Sequence, residues 1–322
     1  HMMFSFTKAL TSTAIGFACQ EGALSLDDRL SELFPDKMPE NPSENLLACT
    51  VRDLLTMSCG HETEINTFDV NEPDWIKNFL SHEFKYKPGT CFMYNTAGTN
   101  MLCAALKRRT GEDLFEYLTP RLFEPLGIEN IECFRLPDGI EMGGAGSRLK
   151  TEDMARFILF VSRHGKWEGK QLLNAEWFDM ASANQVSTIS PANNADNPDW
   201  RCGYGFQFWR TSRGWAMFGM GGQLAVCVPD EELLVVTTAD TQGVEGGGQL
   251  LICTAGEGWY QEEGKEAVSL EPGRVIVIPA EVKHWHGAKR DSWFSHIAVE
   301  MPGEACSNEW CEPVSDAEYE AL

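Results

Sequence analysis

Basic residues are scarce in this sequence. Its 322 residues carry 26 Lys and Arg against 48 Asp and Glu, a formal net charge of -22. That balance excludes a nucleic-acid backbone as partner, because phosphates need a basic footprint; the acidic surplus is read as a solubility feature. No apolar run approaches the roughly 20 residues needed to span a bilayer, so no membrane partner is expected. Eleven cysteines are present, but no C-x-x-C pair and no spacing that marks a staple or zinc knuckle. Reduced, buried thiols in a cytoplasm are the reading that fits, and the expected location is cytoplasmic. There is no internal repeat. The opening His1-Met2-Met3 reads as an expression remnant followed by a start methionine, with no signal peptide after it.

What remains is ordinary globular protein. The apolar fraction is 43% and the aromatic fraction 11%, and the length suffices for two domains. Residues 4 to about 22 read as a buried helix ending at a glycine. Helical patterns recur in VRDLLTMSCG, EPDWIKNFLSHEF, TAGTNMLCAALKRRTG, DLFEYLTPRLFEPLG and TEDMARFILFVSRHG, several with acidic starts or terminal glycines. After Trp200 the text changes to short apolar segments, YGFQFWR, WAMFGMG, QLAVCVP and LLVVTTAD, separated by turn residues. This pattern predicts an antiparallel meander. Helices followed by strands indicate an α+β domain with helices packed on a sheet. A second change falls near Thr241-Gln242, where GVEGGG leads into strand-and-turn text with little helical periodicity. The expected domains are therefore 1–242 and 243–322. From 243 onward there are 15 acidic and 5 basic residues, so the second domain is the more acidic per residue. Its tail, CEPVSDAEYEAL, is expected to be frayed or a short helix.

One short motif carries chemistry. Ser5-Phe6-Thr7-Lys8 is S-x-x-K, and at helical spacing residues i and i+3 share a face, so hydroxyl and amine can meet. A serine hydroxyl needs a base beside it. A lysine serves as that base only if burial or a nearby cation brings its pKa towards neutrality. The helix N-terminus favours the negative charge that develops. The alternative is an ordinary helix start.

The motif's context resembles a known group. Ser5-Phe6-Thr7-Lys8 is followed by Tyr94-Asn95-Thr96 ahead of a helix and by Gly219-Met220-Gly221-Gly222-Gln223 between strands. Three motifs in this order, with LSLDDRL, LFEPLGI, GGAGSRLKTEDMARF and GYGFQFW between them, resemble the serine β-lactamase-related hydrolases, the group of class C β-lactamases and family VIII esterases. The resemblance covers roughly residues 4–242 and implies a β-lactamase and penicillin-binding-protein type of fold. It also implies Ser5 as acylated nucleophile, Lys8 as base and Tyr94 as partner in proton transfer. Thr96 stands at the third position of the family's Y-x-N motif, and Asn95, one residue earlier, is the alternative amide. Gly221 and Gly222 take the place of the family's strand motif, where glycine lets substrate approach the backbone. The backbone N–H groups of Ser5 and Gln223 would then form an oxyanion hole. Read without the resemblance, Gly219 to Gly222 is a simple bulge or hairpin. Met220 stands where many relatives have Lys or His, so the cationic anchor for a carboxylate is missing, and esters are expected over β-lactams. In the family, elements usually precede the S-x-x-K helix and follow the last strand. The domain is therefore expected to be truncated at both ends, with open sheet edges.

The C-terminal portion resembles a small cupin, a β-barrel, through its G-E-G-W-Y turn, its L-x-P-G-x-V-x-x-I-P step and its K-H-W-H-G-A loop. The cupin piece is expected to be partial. His284 matches a second-motif metal ligand, but no H-x-H precedes it, and three or four ligands are needed. His286 and His296 are read as barrel-lining or surface residues, and no metal or other cofactor is expected. His61, His82 and His164 are read as surface or structural. The leading expectation is a serine hydrolase acting through an acyl-enzyme on a small ester, amide or β-lactam-like molecule. Two alternatives stand beside it. One is a catalytically weak or inactive fusion, natural or engineered, in which the hydrolase fold is a scaffold and the cupin-like segment mediates assembly or ligand binding. The other is a metal-dependent cupin with a hydrolase passenger. A homo-oligomer through open sheet edges or the cupin-like segment is the expected assembly.

Overall fold

The structure is a computed structural model that describes residues 1–66, 74–192, 198–239, 248–300 and 311–321. The chain divides into two units, His1–Ala239 and Asp240–Leu322, each with its own apolar core.

The first unit opens with a 3-10 turn, Phe4–Phe6, that runs directly into helix α1, Thr7–Gln20. Every residue from Thr7 to Ala18 is buried, as befits a helix enclosed on all sides rather than lying on a surface. Gly16 makes one of those contacts possible: a Cβ there would lie 2.7 Å from the Trp177 indole, too close for any side chain. Helix α2, Val51–Leu55, starts at a capping box between Thr50 and Asp53. It is shorter than its sequence pattern suggests, because Met57 takes φ 57 and turns the chain. Helix α3, Trp75–Ser81, is capped by Asp74. Helix α4, Thr96–Thr110, ends at Gly111 in the left-handed conformation, which glycine adopts without a Cβ penalty. DLFEYLTPRLFEPLG is not one helix: α5 covers Leu114–Leu118, and a π turn, Thr119–Phe123, accommodates Pro120, whose missing N–H breaks an α ladder. Helix α6 is Thr151–Ser162. Helix α7, Ala175–Ser182, was not legible in the sequence. It is eight residues long and buries only Trp177, Phe178 and Ala181, too little for a period to stand out.

The meander forms as expected. Strands β1 (Trp209–Thr211), β2 (Gly214–Gly219), β3 (Gln223–Val228) and β4 (Leu233–Thr237) pair antiparallel in chain order. The first strand begins later than YGFQFWR suggests, because Gln207 sits at φ 68. Its buried amide donates to the Leu54 and Leu55 carbonyls and accepts from the Thr99 hydroxyl, tying the sheet's entrance to α2 and α4. Helix α6 packs on β3 and β4, and the 3-10 turn before α1 packs on β2 and β3. This unit is α+β, helices on an antiparallel sheet.

The second unit has two three-stranded antiparallel sheets. Strands β5 (Gln249–Gly256), β8 (Val275–Ile278) and β10 (Phe294–Glu300) make one, with β5 central. Strands β6 (Gly258–Glu262), β7 (Val268–Leu270) and β9 (His284–Ala288) make the other, with β6 central. Leu251, Cys253, Tyr260, Leu270 and Ile278 form its core. In the tail a short helix, α8 (Asp316–Glu320), starts at a Ser315–Glu318 capping box. Among the described residues no two cysteines are joined in a disulfide.

Candidate active site

Two contacts fix the backbone ahead of Ser5. The Met3 N–H donates to the Ser147 carbonyl at 2.9 Å, and the Leu149 N–H donates to the His1 carbonyl. On the other side the Met3 carbonyl presses on Gly219 of β2, where a Cβ would collide with it. Between these contacts Phe4 adopts φ 47, a conformation a bulky residue rarely takes. Ser5 follows, partly exposed, in the middle of the 3-10 turn that leads into α1.

Lys8 lies one turn further on and is fully buried. Its Nζ is 3.0 Å from Ser5 Oγ, 2.7 Å from the Gly144 carbonyl oxygen and 3.4 Å from Thr96 Oγ1. Three oxygens therefore face the three donors of an ammonium. Burial nonetheless lowers the Lys8 pKa to about 7, with the charge of Glu64 opposing the shift. The amine form is thus available near neutrality, and its nitrogen can accept the Ser5 proton. Gly144 was not singled out in the sequence. Its signal was the adjacent pair Gly143-Gly144: a Cβ on Gly144 would meet Thr96 Cγ2 at 2.5 Å, and one on Gly143 would collide with Cys103 Sγ. Only glycines let this segment enter between α1 and α4.

Tyr94 stands across from Lys8. Lys8 Nζ sits over its ring at 4.8 Å from the centroid. Burial pushes the phenol well above its ordinary value, and the neighbouring Ser5 hydroxyl offsets part of that. The phenol is therefore a proton donor here. The ammonium contacts the ring face and does not acidify the hydroxyl.

The structure separates Asn95 from this group. Asn95 is the N-cap of α4: its Oδ1 accepts from the Gly98 N–H at 3.3 Å, while Nδ2 points to Cys59 Sγ at 3.8 Å and His61 Nδ1 at 3.5 Å. Both ends of the amide are engaged away from Ser5, and Thr96 takes the place beside Lys8. His61 is buried between Phe79 and Phe84, its pKa lowered to about 4 by burial. His82 and His164 are exposed.

Gly221 and Gly222 take φ 80 and φ 91 in the turn from β2 to β3, so this turn requires glycine. The buried Gln223 side chain holds it, donating to the Gly221 carbonyl at 3.2 Å and to the Ala239 carbonyl at 2.5 Å. The Thr237 hydroxyl donates to the Gly222 carbonyl at 2.8 Å. Met220 sits at the tip, 60% exposed.

In the second unit His284 Nδ1 lies 2.9 Å from the Val282 carbonyl oxygen. His284 stacks on His286 at 5.8 Å, and His286 meets His296 edge-on at 4.6 Å. Among the described residues no three His, Cys, Asp or Glu side chains converge as a metal-binding group.

Parts of this chain are similar to known proteins. A 72-residue stretch, 22% of this chain, is 39% identical to the (R)-mandelonitrile lyase of Granulicella tundricola and spans 55% of that protein. A 156-residue stretch, 40% of this chain, is 27% identical to the lovastatin esterase of Penicillium rubens and spans 38% of it. The chain thus covers well under two thirds of either relative. Among solved structures, EstCE1, a hydrolase with promiscuous acyltransferase activity, superimposes with a TM-score of 0.57 over 74% of this chain and 79% of its own; at 17% identity it speaks for the fold alone. The family model described as beta-lactamase matches residues 1–250, the span that carries the Ser5–Lys8 pair and the antiparallel sheet, and the chain belongs to that family of serine hydrolases.

Proposed function

We propose that the first unit is a serine esterase working through an acyl-Ser5 intermediate. One observation carries this reading. Lys8 Nζ lies 3.0 Å from Ser5 Oγ, buried so that it exchanges a proton at about pH 7. The neutral amine takes the Ser5 proton as Oγ attacks the ester carbonyl. The oxyanion that forms is met by the α1 N-terminus and by the backbone N–H groups of Ser5 and Gln223. The tetrahedral intermediate collapses, the C–O bond to the alcohol breaks, and the departing oxygen takes the proton from the Lys8 ammonium. Water then attacks the acyl-Ser5 carbonyl with Lys8 again as base, releasing the acid and restoring Ser5.

Esters are favoured over β-lactams because the exposed tip of the β2–β3 turn carries Met220, which offers a carboxylate no cation. Lovastatin esterase, one of the relatives, is an ester hydrolase by name. The second unit is read as a cupin-like module without metal chemistry. The test is intact mass after a fluorophosphonate probe, alongside p-nitrophenyl butyrate turnover. A single adduct and turnover, both lost in Ser5→Ala, are expected. A folded protein with neither would sink the esterase reading.

A further inference from the structure

Glu64 lies at the mouth of the site. Its Oε1 accepts from the Thr96 N–H at 2.9 Å, and the hydroxyl of the same Thr96 lies 3.4 Å from Lys8 Nζ. The carboxylate is exposed. Its neighbour Glu62 is neutralised by Lys85, whereas among the described residues no ion pair involves Glu64. Its charge is felt at both Lys8 and Tyr94. Beside it runs an aromatic wall. Tyr94 stacks on Trp209 (5.6 Å, 18°), Trp209 stacks on Trp200 (5.6 Å, 28°), and Trp200 meets Phe218 edge-on at 6.3 Å. Phe218 belongs to β2, the strand on which the Ser5 turn packs. Trp200 is 42% exposed, so the wall reaches solvent. Aromatic faces attract cations, and an unpaired carboxylate adds to that attraction while repelling anions. Lys8, the cation of this centre, is buried and already faces three oxygens.

We propose that this site selects acyl esters bearing an ammonium or quaternary ammonium group, held by the Glu64 carboxylate and by the exposed Trp200 ring at the solvent end of the Tyr94–Trp209–Trp200 stack. The kinetic side of this proposal rests on the esterase reading; the binding side does not. The test compares butyrylthiocholine with its uncharged carbon isostere, 3,3-dimethylbutyl thiobutyrate, on wild type and Glu64→Gln. The glutamine keeps an oxygen for the Thr96 N–H and removes the charge. Wild type is expected to prefer the cationic ester by about tenfold or more in kcat/KM, and Glu64→Gln to lose most of that ratio. In parallel, calorimetry follows phenyltrimethylammonium and benzoate binding to Ser5→Ala and to Ser5→Ala with Glu64→Gln. The cation alone should bind, and more weakly without Glu64. Cation binding without turnover of any ester would keep the site and overturn the esterase reading. Turnover of both esters at equal kcat/KM, or a ratio unmoved by Glu64→Gln, overturns the cation site and leaves the esterase reading intact. No turnover and no binding overturns both.

Discussion

At the residue scale, the centre depends on a lysine held where it is least comfortable. The Lys8 pKa stands near 7 in the folded chain, against 10.5 for the ordinary side chain. Activity that needs the amine should therefore rise with pH and level off above about 7. A kcat/KM profile for a neutral ester, flat from pH 5.5 to 8.5, would contradict this. The same depression has a stability cost. Below pH 7 Lys8 is protonated in both states, and the full penalty of burying the charge is present. Between 7 and 10.5 the unfolded chain binds the extra proton, so stability rises with pH across that window. Lys8→Met should then abolish turnover yet raise the melting temperature, and by more at pH 6 than at pH 9. A melting temperature lowered equally at both values would count against a strained lysine. Gly144 is the second residue to probe. Gly144→Ala forces its Cβ against Thr96 and displaces the carbonyl that holds Lys8, so kcat should fall about 100-fold, the scale of a 1 Å misplacement.

At the element scale, α4 does more than fill the core. Its N-cap, Asn95, sits between Tyr94 and Thr96 and bonds towards Cys59 and His61 as well as Gly98. Asn95→Ala should cost about 1–2 kcal/mol from the lost cap, read as a lower denaturation midpoint with unchanged m-value. Tyr94 would lose its fixed register, so the loss of kcat should accompany the loss of stability. The S-x-x-K motif was legible in the sequence because i and i+3 meet on any helix. The role of Asn95 was not, because a side chain at a helix start can face either way, and burial against Cys59 chose the direction.

At the scale of the whole molecule, two cores of very different size coexist. The first draws on residues from Met3 to Cys227. The second is Leu251, Cys253, Tyr260, Leu270 and Ile278 with a few partners. Separate cores unfold as separate cooperative units, and a small one is the less stable. Scanning calorimetry should show two transitions, the minor one at lower temperature. Leu251→Ala should lower the minor transition by an amount equivalent to about 2–5 kcal/mol and leave the major one in place. A single transition shifted as a whole would mean that the two cores unfold together.

The sequence by itself determined the order of helices then strands, the Ser5–Lys8 pairing and the change of character near residue 240. Each of these follows from local periodicity or from composition, which need no neighbours. It also located the glycine turn before Gln223, because only glycine tolerates those backbone angles. Only the tertiary structure decided that Thr96 and not Asn95 stands beside Lys8. The same packing made the Gly144 carbonyl the third oxygen on its nitrogen, kept Tyr94 protonated, and set Glu64 and three aromatic rings at the entrance. Those facts depend on segments up to 136 residues apart in sequence being pressed into one volume. Burial there sets both the direction of each side chain and the proton affinity of each group, and neither quantity exists until the chain has packed.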